Sequence, residues 1–345
     1  MSRLPQALVE ADRALTAAVG RVVTSQYLNP TNEVAARADF EAGKPVRFTY
    51  RPAFWADELL RTLDRIQVPE NTLGTLLLES IVETRAMAFA LRDRTPAAMV
   101  EWARVEGWLD EPVSDEIPTF AVREVEADTC SAREMSAALA NALREAGHHD
   151  WRVESDLVMS ARILVDSLRH TVRVNPRARC TPSELVALIA HEIGVHVRRA
   201  VNGTKQPLTI FQHGLPGYLP TEEGLALHAE AAAVGLPARV AERQRTMAKL
   251  ALRAQEIGFT QLASEFRQAT GASGWLFALR VKRGLADPEG VGAYVKDRVY
   301  WLGLAAVAKF LRDGGDRQRL MVGKVGLHHP IAQWQAEGWV SAATS

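Results

Sequence analysis

Two histidines and a glutamate stand within six consecutive residues of this 345-residue chain: His191, Glu192 and His196. The preceding residues, 185–190, are apolar, so a helix here has a hydrophobic surface on nearly every side. Burying three ionisable groups in such a helix costs free energy unless they are paired or bind a metal. The pattern therefore indicates a metal site. Two unrelated histidines near a helix end remain the alternative.

The two imidazoles are five positions apart, whereas zinc-hydrolase helices of the H-E-x-x-H type place them four apart on one face. In an ideal α-helix a spacing of five rotates the second imidazole by about 140° from the first, too far to share one ion. A local i→i+5 turn would stack the two rings, and Gly194 lacks the Cβ that could crowd such a turn. The spacing predicts a π-bulge between His191 and His196.

A catalytic zinc ion usually has three protein ligands and one position open to water. The next candidate is Glu223, in the segment Thr221-Glu-Glu-Gly-Leu-Ala226, where Thr221 is predicted to cap a helix running toward Gly235. In the first turn of that helix the terminus favours an ionised carboxylate, the form that binds a metal. The alternative is that Glu222 and Glu223 only complement the charge of the helix terminus.

The elements that must position these residues are mostly helical, because long Ala-, Leu-, Arg- and Glu-rich segments are separated by Gly and Pro. The metal-binding helix is predicted to begin at the capping box Thr181-Pro-Ser-Glu184. We expect a mainly helical α+β fold with a small sheet beside that helix. Helices are predicted near 7–25, 56–66, 72–91, 131–146, 157–168, 181–202, 221–235, 238–269, 291–311 and 331–335, and strands at 45–50 and 170–175.

Length and composition limit the class of protein. At about 150 residues per domain the chain predicts two regions, an N-terminal helical one (1–125) and a metal-bearing one (126–345). Lys+Arg (41) and Asp+Glu (41) cancel, which argues against a nucleic-acid partner. Cys130 and Cys180 form no C-x-x-C pair and are expected to be plain buried thiols in a reducing compartment. Without a signal peptide or a long apolar run, the expectation is a cytoplasmic protein with no membrane partner.

The motifs His191-Glu-Ile-Gly-Val-His196 and Glu222-Glu-Gly-Leu-Ala226 resemble those of the DUF1704 proteins. In bacteria these are called flavohemoglobin expression-modulating QEGLA-motif proteins, and the family includes the microtubule-associated tyrosine carboxypeptidases. Supporting similarities are Leu28-Asn-Pro-Thr-Asn32, Tyr218 and the segment 294–303, so the resemblance runs over most of the chain. One departure is that the family motif begins with Gln, where this chain has Glu.

The resemblance implies a zinc metallopeptidase-like fold and a single Zn²⁺ ion bound by His191, His196 and Glu223. It implies that Glu192 is the catalytic acid/base, so losing Glu192 should spare the zinc and abolish turnover. It also implies hydrolysis of a C-terminal peptide bond, with a peptide or protein C-terminal tail as the substrate.

A carboxypeptidase also needs a cation for the terminal carboxylate and a donor for the oxyanion. In the family-like segment, Lys296 and Arg298 are candidates for the carboxylate and Tyr300 for the oxyanion. A solvated helix face with a core-facing tyrosine is the alternative. Tyr218 and His213, between the zinc motifs, are further candidate substrate contacts, although His213 can equally be structural.

Two other functions stay open from the sequence. The chain could be a regulatory or interaction protein with a structural or vestigial zinc site. An intact Glu192 argues against this, because a structural site has no use for a base beside its ligand. The chain could also be a zinc amidohydrolase that acts on a non-peptide amide. The oligomeric state and the residue removed are not predicted.

Overall fold

The computed structural model describes residues 4–20, 22–111, 129–156, 161–235 and 238–344. Over these ranges the chain is mainly helical with two small sheets, in agreement with the predicted α+β class. The helices are α1 (Gln6–Val19), α2 (Thr24–Leu28), α3 (Glu33–Glu41), α4 (Ala56–Leu63), α5 (Thr72–Asp93), α6 (Pro96–Val105), α7 (Ala132–Glu145), α8 (Pro182–His191), α9 (Arg198–Thr204), α10 (Ile210–His213), α11 (Leu219–Val234), α12 (Ala238–Arg253), α13 (Phe259–Thr270), α14 (Trp275–Lys282), α15 (Arg298–Arg312), α16 (Arg317–Leu320) and α17 (Ile331–Ala336). The strands are β1 (Cys130–Ser131), β2 (Arg152–Ser155), β3 (Ile163–Asp166), β4 (Thr171–Val174) and β5 (Arg179–Cys180).

The chain separates into two compact units. The first combines described residues of Met1–Val9, Val113–Ala241 and Leu302–Ser345, and the second those of Glu10–Pro112 and Glu242–Trp301. The predicted boundary between residues 125 and 126 lies outside the described residues, so a division at that point stays a prediction. No helix in the described part of the chain has the length and apolar character needed to cross a bilayer.

In the first unit a three-stranded sheet lies beside the predicted metal-binding helix. Its order is β2-β4-β3, with β4 parallel to β2 and antiparallel to β3. One hydrophobic core joins this sheet to α7 and to the metal-binding helix, and it includes Met135, Leu139, Val172, Ile193 and Val197. Burial of these side chains fixes the helix against the sheet, since removing apolar surface from water is the main favourable contribution to folding.

Helix α8, the predicted metal-binding helix, begins where the sequence predicts. The Thr181 hydroxyl accepts a hydrogen bond from the Glu184 amide at 3.0 Å, and Glu184 Oε2 accepts one from the Thr181 amide at 3.1 Å. This capping box satisfies two backbone amides at the start of α8, and Pro182 occupies the first helical position. The chain then continues as one helical rod through Glu192–Val197 and α9.

Helix α11 begins before its predicted cap. Tyr218 stands at the N-cap, and the Thr221 hydroxyl instead accepts a hydrogen bond from the Leu327 amide at 2.9 Å. The prediction that Thr221 caps this helix is therefore wrong, and Glu223 lies one turn inside the helix. At the next residue, Gly224, α11 crosses α15 so closely that a Cβ would overlap the carbonyl group of Gly303.

The predicted strand at 45–50 is wrong: these residues belong to no helix or strand. The Asn32 side chain takes the place of a partner, since its Oδ1 accepts from the Thr49 amide at 2.8 Å and its Nδ2 donates to the Arg47 carbonyl at 2.9 Å. Side-chain bonds of this kind satisfy backbone groups outside a sheet.

Four further predicted elements differ from the structure. The helix predicted over 7–25 is divided, since α1 ends at Val19 and α2 begins at Thr24. The helix predicted over 157–168 is wrong at 163–166, where β3 pairs with β4; residues 157–160 lie outside the described ranges. The helix predicted over 238–269 is divided into α12 and α13, and the one predicted over 291–311 begins at Arg298.

Candidate metal centre

The segment Glu192–Val197 is π-helical, which confirms the predicted π-bulge. The i→i+5 turn brings the rings of His191 and His196 together, with their centroids 4.7 Å apart. A Cβ at Gly194 would meet no atom from outside its own turn of helix within 4 Å. The role expected for Gly194 within the π-turn itself stays a prediction.

The two imidazoles converge on one carboxylate. Nε2 of His191 and Nε2 of His196 each lie 3.8 Å from Oε2 of Glu223. One ligand atom from each of the three residues lies within 4.8 Å of the others, so the group could hold a metal ion. Glu223 is 7% exposed, and its Oε2 has no hydrogen-bond partner among the described residues. A buried carboxylate oxygen without a donor is costly unless a cation compensates it.

Two other carboxylates contact the Nδ1 atoms, on the sides of the rings that face away from Glu223. Nδ1 of His191 lies 2.6 Å from Oε1 of Glu230, and Nδ1 of His196 lies 2.8 Å from Oε1 of Glu222. Because an ionised carboxylate only accepts hydrogen bonds, both Nδ1 atoms are the donors, and the Nε2 atoms are left to face Glu223. Such outer carboxylates orient metal-binding histidines.

Glu230 was not identified from the sequence. It follows Glu223 by seven residues, which is about two helical turns, so the two side chains share one face of α11. That periodicity was a usable signal. The role of Glu222 as an acceptor for His196 was also not predicted, because it depends on how α11 packs on the metal-binding helix.

Glu222 is ionised in a buried position, with 1% of its surface exposed. Burial alone would raise the pKa of this carboxyl group. The charges of Arg199 and Lys324, together with the hydrogen bond from His196, instead hold its pKa far below the ordinary value. Glu222 is therefore a permanent anion beside the ring of His196.

Arg199 is fully buried and connects the metal-binding rod to the C-terminal part of the first unit. Its Nη1 forms an ion pair with Oε2 of Glu222. Its Nε donates to the carbonyl groups of Leu320 and Gly323, at 2.9 Å each, and its Nη2 donates to that of Val325. These contacts give Arg199 a structural role.

Two ionisable side chains at the centre have displaced pKa values. Burial raises the pKa of Glu192, while the nearby His191 and His196 oppose the shift. Burial also lowers the pKa of His191, but the hydrogen bond that His191 donates to Glu230 and the charge of Glu192 outweigh it and raise the pKa to about 9. Carboxylates therefore surround a site that attracts positive charge, and a metal ion binding there would displace a proton.

Two candidate substrate contacts lie in the first unit. Burial and the charge of Lys324 lower the pKa of His213 to about 4, so its ring is neutral at physiological pH. Its buried Nε2 has no hydrogen-bond partner within the described ranges. The ring of Tyr218 lies 5.8 Å from Nζ of Lys324. Substrate contact by His213 or Tyr218 stays a prediction.

The other three candidates lie in the second unit. Arg298 is buried and donates to the carbonyl groups of Trp108 at 2.6 Å and Asp110 at 3.1 Å, which favours a structural role. Lys296 is partly buried, and its charge acts on the carboxyl group of Glu106. Tyr300, also partly buried, forms a side-chain hydrogen bond with Arg280. The roles assigned to Lys296, Arg298 and Tyr300 stay predictions.

Comparison with known proteins gives a consistent result. Residues 113–344 match the family described as "Microtubule-associated tyrosine carboxypeptidase". "Microtubule-associated tyrosine carboxypeptidase 1" of Mus musculus is 29% identical over 170 residues, which is 46% of this chain and 34% of that protein. The Homo sapiens protein of the same name is 28% identical over 176 residues, 48% of this chain and 36% of the relative. "Putative tyrosine carboxypeptidase MATCAP2" of Mus musculus is 28% identical over 138 residues, with 36% and 25% covered. The aligned part therefore spans about a third or less of these relatives.

Proposed function

This chain belongs to the microtubule-associated tyrosine carboxypeptidase family, and from that premise we propose that it is a zinc-dependent carboxypeptidase. The relatives it matches are named tyrosine carboxypeptidases, which supports a carboxypeptidase-like activity. The observation that carries the proposal is the convergence of two imidazole Nε2 atoms on one oxygen of Glu223, at 3.8 Å each.

The donor set fits zinc. Two imidazole nitrogens and one carboxylate oxygen are the ligands of many catalytic zinc sites, which keep a further position open. Ligand atoms about 2.0–2.1 Å from a tetrahedral zinc ion lie about 3.4 Å from one another. The two separations from Glu223, 3.8 Å each, and the 4.8 Å limit for all three ligand atoms would need to shorten for such an ion. The buried Glu223 Oε2 without a donor supports a cation at this point.

Glu192 is proposed as the acid/base. A bound zinc ion would supply Lewis acidity to a carbonyl group and to a water molecule. Glu192 lies directly after His191 in the π-helical segment, where it could accept the proton of the attacking water and later donate it to the leaving amine. Its raised pKa suits this exchange, because a proton shuttle works best when its pKa approaches the working pH.

Glu230 and Glu222 are proposed as positioning residues. Each accepts a hydrogen bond from Nδ1 of one histidine, which fixes the ring orientation and keeps the Nε2 lone pair available. Arg199, held by backbone carbonyl groups, keeps Glu222 ionised and in place. Both rings are thus oriented before a metal binds.

The proposed substrate is the C-terminal tail of a peptide or protein. The names of the relatives make a C-terminal tyrosine the first residue to test. Lys296 is the proposed partner of the terminal carboxylate, and Tyr300 the proposed donor to the oxyanion. Arg298, Tyr218 and His213 remain candidate contacts, and a cytoplasmic location remains a prediction.

The test combines metal analysis with a C-terminal peptide library read by mass spectrometry. We expect one zinc ion per chain in the wild type and in Glu192→Gln, with release of a C-terminal residue by the wild type but not by Glu192→Gln. Glu145→Gln, an exposed change at the end of α7, is the control and should be active. His191→Ala and Glu223→Ala should lose the zinc.

Three outcomes would contradict the proposal. Metal retained by His191→Ala and Glu223→Ala would show that other residues bind it. Bound zinc without cleavage of any peptide would favour a regulatory protein. Hydrolysis restricted to non-peptide amides would favour an amidohydrolase.

A further inference from the structure

The two cysteines of the chain face each other across a pair of strands. Strands β1 and β5 pair antiparallel, with Cys130 directly opposite Cys180. The Cα atoms of directly opposed residues in such a pair are about 4.5–5.5 Å apart. Disulfides span Cα separations of about 4.4–6.8 Å, so the backbone here already has the spacing that a disulfide needs.

The two thiols differ in accessibility. Cys130 is partly exposed, whereas Cys180 is fully buried. Burial, with a smaller contribution from Cys130, raises the pKa of Cys180 to about 11. Cys130 is therefore the sulfur that a soluble oxidant would reach first, and Cys180 is placed to react next with Cys130 rather than with solvent.

Each cysteine directly precedes the N-cap residue of a helix. Ser131 caps α7 and Thr181 caps α8, and both caps are complete capping boxes. A bond between Cys130 and Cys180 would tie together the starts of these two helices. Helix α8 leads into the π-helical segment without a break, so the disulfide would lie one helix length from the candidate metal centre.

We propose that Cys130 and Cys180 are an oxidative modification site that forms an intramolecular disulfide by exchange with a low-molecular-weight disulfide such as oxidised glutathione. The Cys130 thiolate attacks oxidised glutathione, forming a mixed disulfide and releasing one glutathione thiol. The Cys180 thiolate then attacks the Cys130 sulfur and releases the second. Both protein thiols are oxidised, and one glutathione disulfide is reduced to two thiols.

The new bond would close a loop of about 50 residues and so restrict the unfolded chain. Because the native backbone already has the required spacing, little strain offsets this gain. We expect the oxidised protein to unfold about 5–10 °C above the reduced protein. The effect needs neither zinc nor catalysis, so it is independent of the proposed peptidase activity.

The experiment treats the folded full-length chain with excess oxidised glutathione at about pH 8, where exchange is faster. Free thiols, counted after acid quenching and denaturation, should fall from two to zero per chain. The intact mass should fall by two hydrogen atoms, with no glutathione adduct and no dimer, and dithiothreitol should reverse the change. Peptide mapping should find Cys130 joined to Cys180.

Single variants separate the two thiols. Cys180→Ser should trap the mixed disulfide on Cys130, and Cys130→Ser should keep one thiol that stays free in the folded protein. Neither variant should gain thermal stability on oxidation. If Cys180→Ser does not fold, the peptide map of the wild type and the thiol count of Cys130→Ser still decide whether Cys130 and Cys180 form the disulfide. Two free thiols after prolonged oxidation, glutathione on both cysteines, or disulfide-linked dimers would each overturn the proposal.

Discussion

Nδ1 of His196 lies 2.8 Å from Oε1 of Glu222, the residue directly before Glu223. Nε2 of the same ring lies 3.8 Å from Oε2 of Glu223. Adjacent residues on an α-helix point about 100° apart, so the imidazole lies between two consecutive carboxylates of α11. One carboxylate orients the ring, and the other shares the proposed metal site with it.

The first prediction separates the acceptor role of Glu222 from its charge. Glu222→Gln keeps an oxygen that can accept from Nδ1 of His196. We expect zinc affinity to fall by less than about 10-fold. Glu222→Leu removes the acceptor and should weaken zinc by about 10–100-fold. Competition with a chromophoric chelator measures both affinities.

Glu145→Gln is the matched control and should bind zinc as the wild type does. Circular dichroism should be recorded at the temperature of the assay, so that the affinity of Glu222→Leu refers to folded protein. Equal affinities for Glu222→Gln and Glu222→Leu would show that the hydrogen bond to His196 does not position the ring.

The second prediction compares two glycines near the centre. A Cβ at Gly194 meets nothing within 4 Å, so Gly194→Ala should keep zinc binding and change the free energy of unfolding by no more than about 1 kcal/mol. A Cβ at Gly224 overlaps the carbonyl group of Gly303, so Gly224→Ala should push α11 away from α15. We expect a loss of about 1–3 kcal/mol, together with weaker zinc binding because Glu223 moves.

Urea unfolding and chelator competition, applied to both glycine variants, make the comparison. The same Ala substitution is used twice, so any difference reports the local space and not the residue type. A Gly194→Ala protein without zinc would show that the π-turn does require glycine after all.

The third prediction concerns the second unit and its dependence on pH. Burial alone would raise the pKa of Asp297, but the charge and hydrogen bond of Arg280, at 2.8 Å, lower it. A carboxyl group with a lowered folded pKa adds stability above its unfolded pKa of about 3.9, and this is lost as pH falls. The free energy of unfolding of the wild type should therefore decrease more between pH 6 and pH 3 than that of Asp297→Asn.

At neutral pH, Asp297→Asn should unfold more easily by about 1–3 kcal/mol. This expected loss of stability is smaller than for a fully buried ion pair, because the Arg280 side chain is 39% exposed. Urea unfolding followed by fluorescence at several pH values measures both effects. Parallel pH profiles for the two proteins would contradict the assigned role of the pair.

The π-turn could be predicted from sequence because its cause is local: the two imidazoles are five positions apart, and only an i→i+5 turn stacks them. The start of α8 was predictable for the same reason, since a capping box involves four consecutive residues. The partners of Arg199 are carbonyl groups more than 120 residues away, and no local pattern indicates them. The failed strand at 45–50 has the same origin, because the Asn32 side chain replaces a strand.

The fourth prediction tests the buried ion pair that holds Glu222. Arg199→Met should lower the free energy of unfolding by about 3–5 kcal/mol, because it removes the ion-pair partner of the buried Glu222 carboxylate and leaves the more distant charge of Lys324, at 3.6 Å. Glu222→Leu should cost a similar amount by leaving the guanidinium unpaired. The double variant should cost less than the sum, by about 1–3 kcal/mol, because neither charge then remains.

The double variant should still be less stable than the wild type, since the carbonyl groups of Leu320, Gly323 and Val325 keep their need for a donor when Arg199 is absent. Lys205→Met, an exposed change after α9, is the control and should shift stability by no more than about 0.5 kcal/mol. Strict additivity of the two single changes would mean that Arg199 stabilises the fold through these carbonyl groups alone. The ionised state of Glu222 beside His196 would then need an explanation other than its ion pair with Arg199.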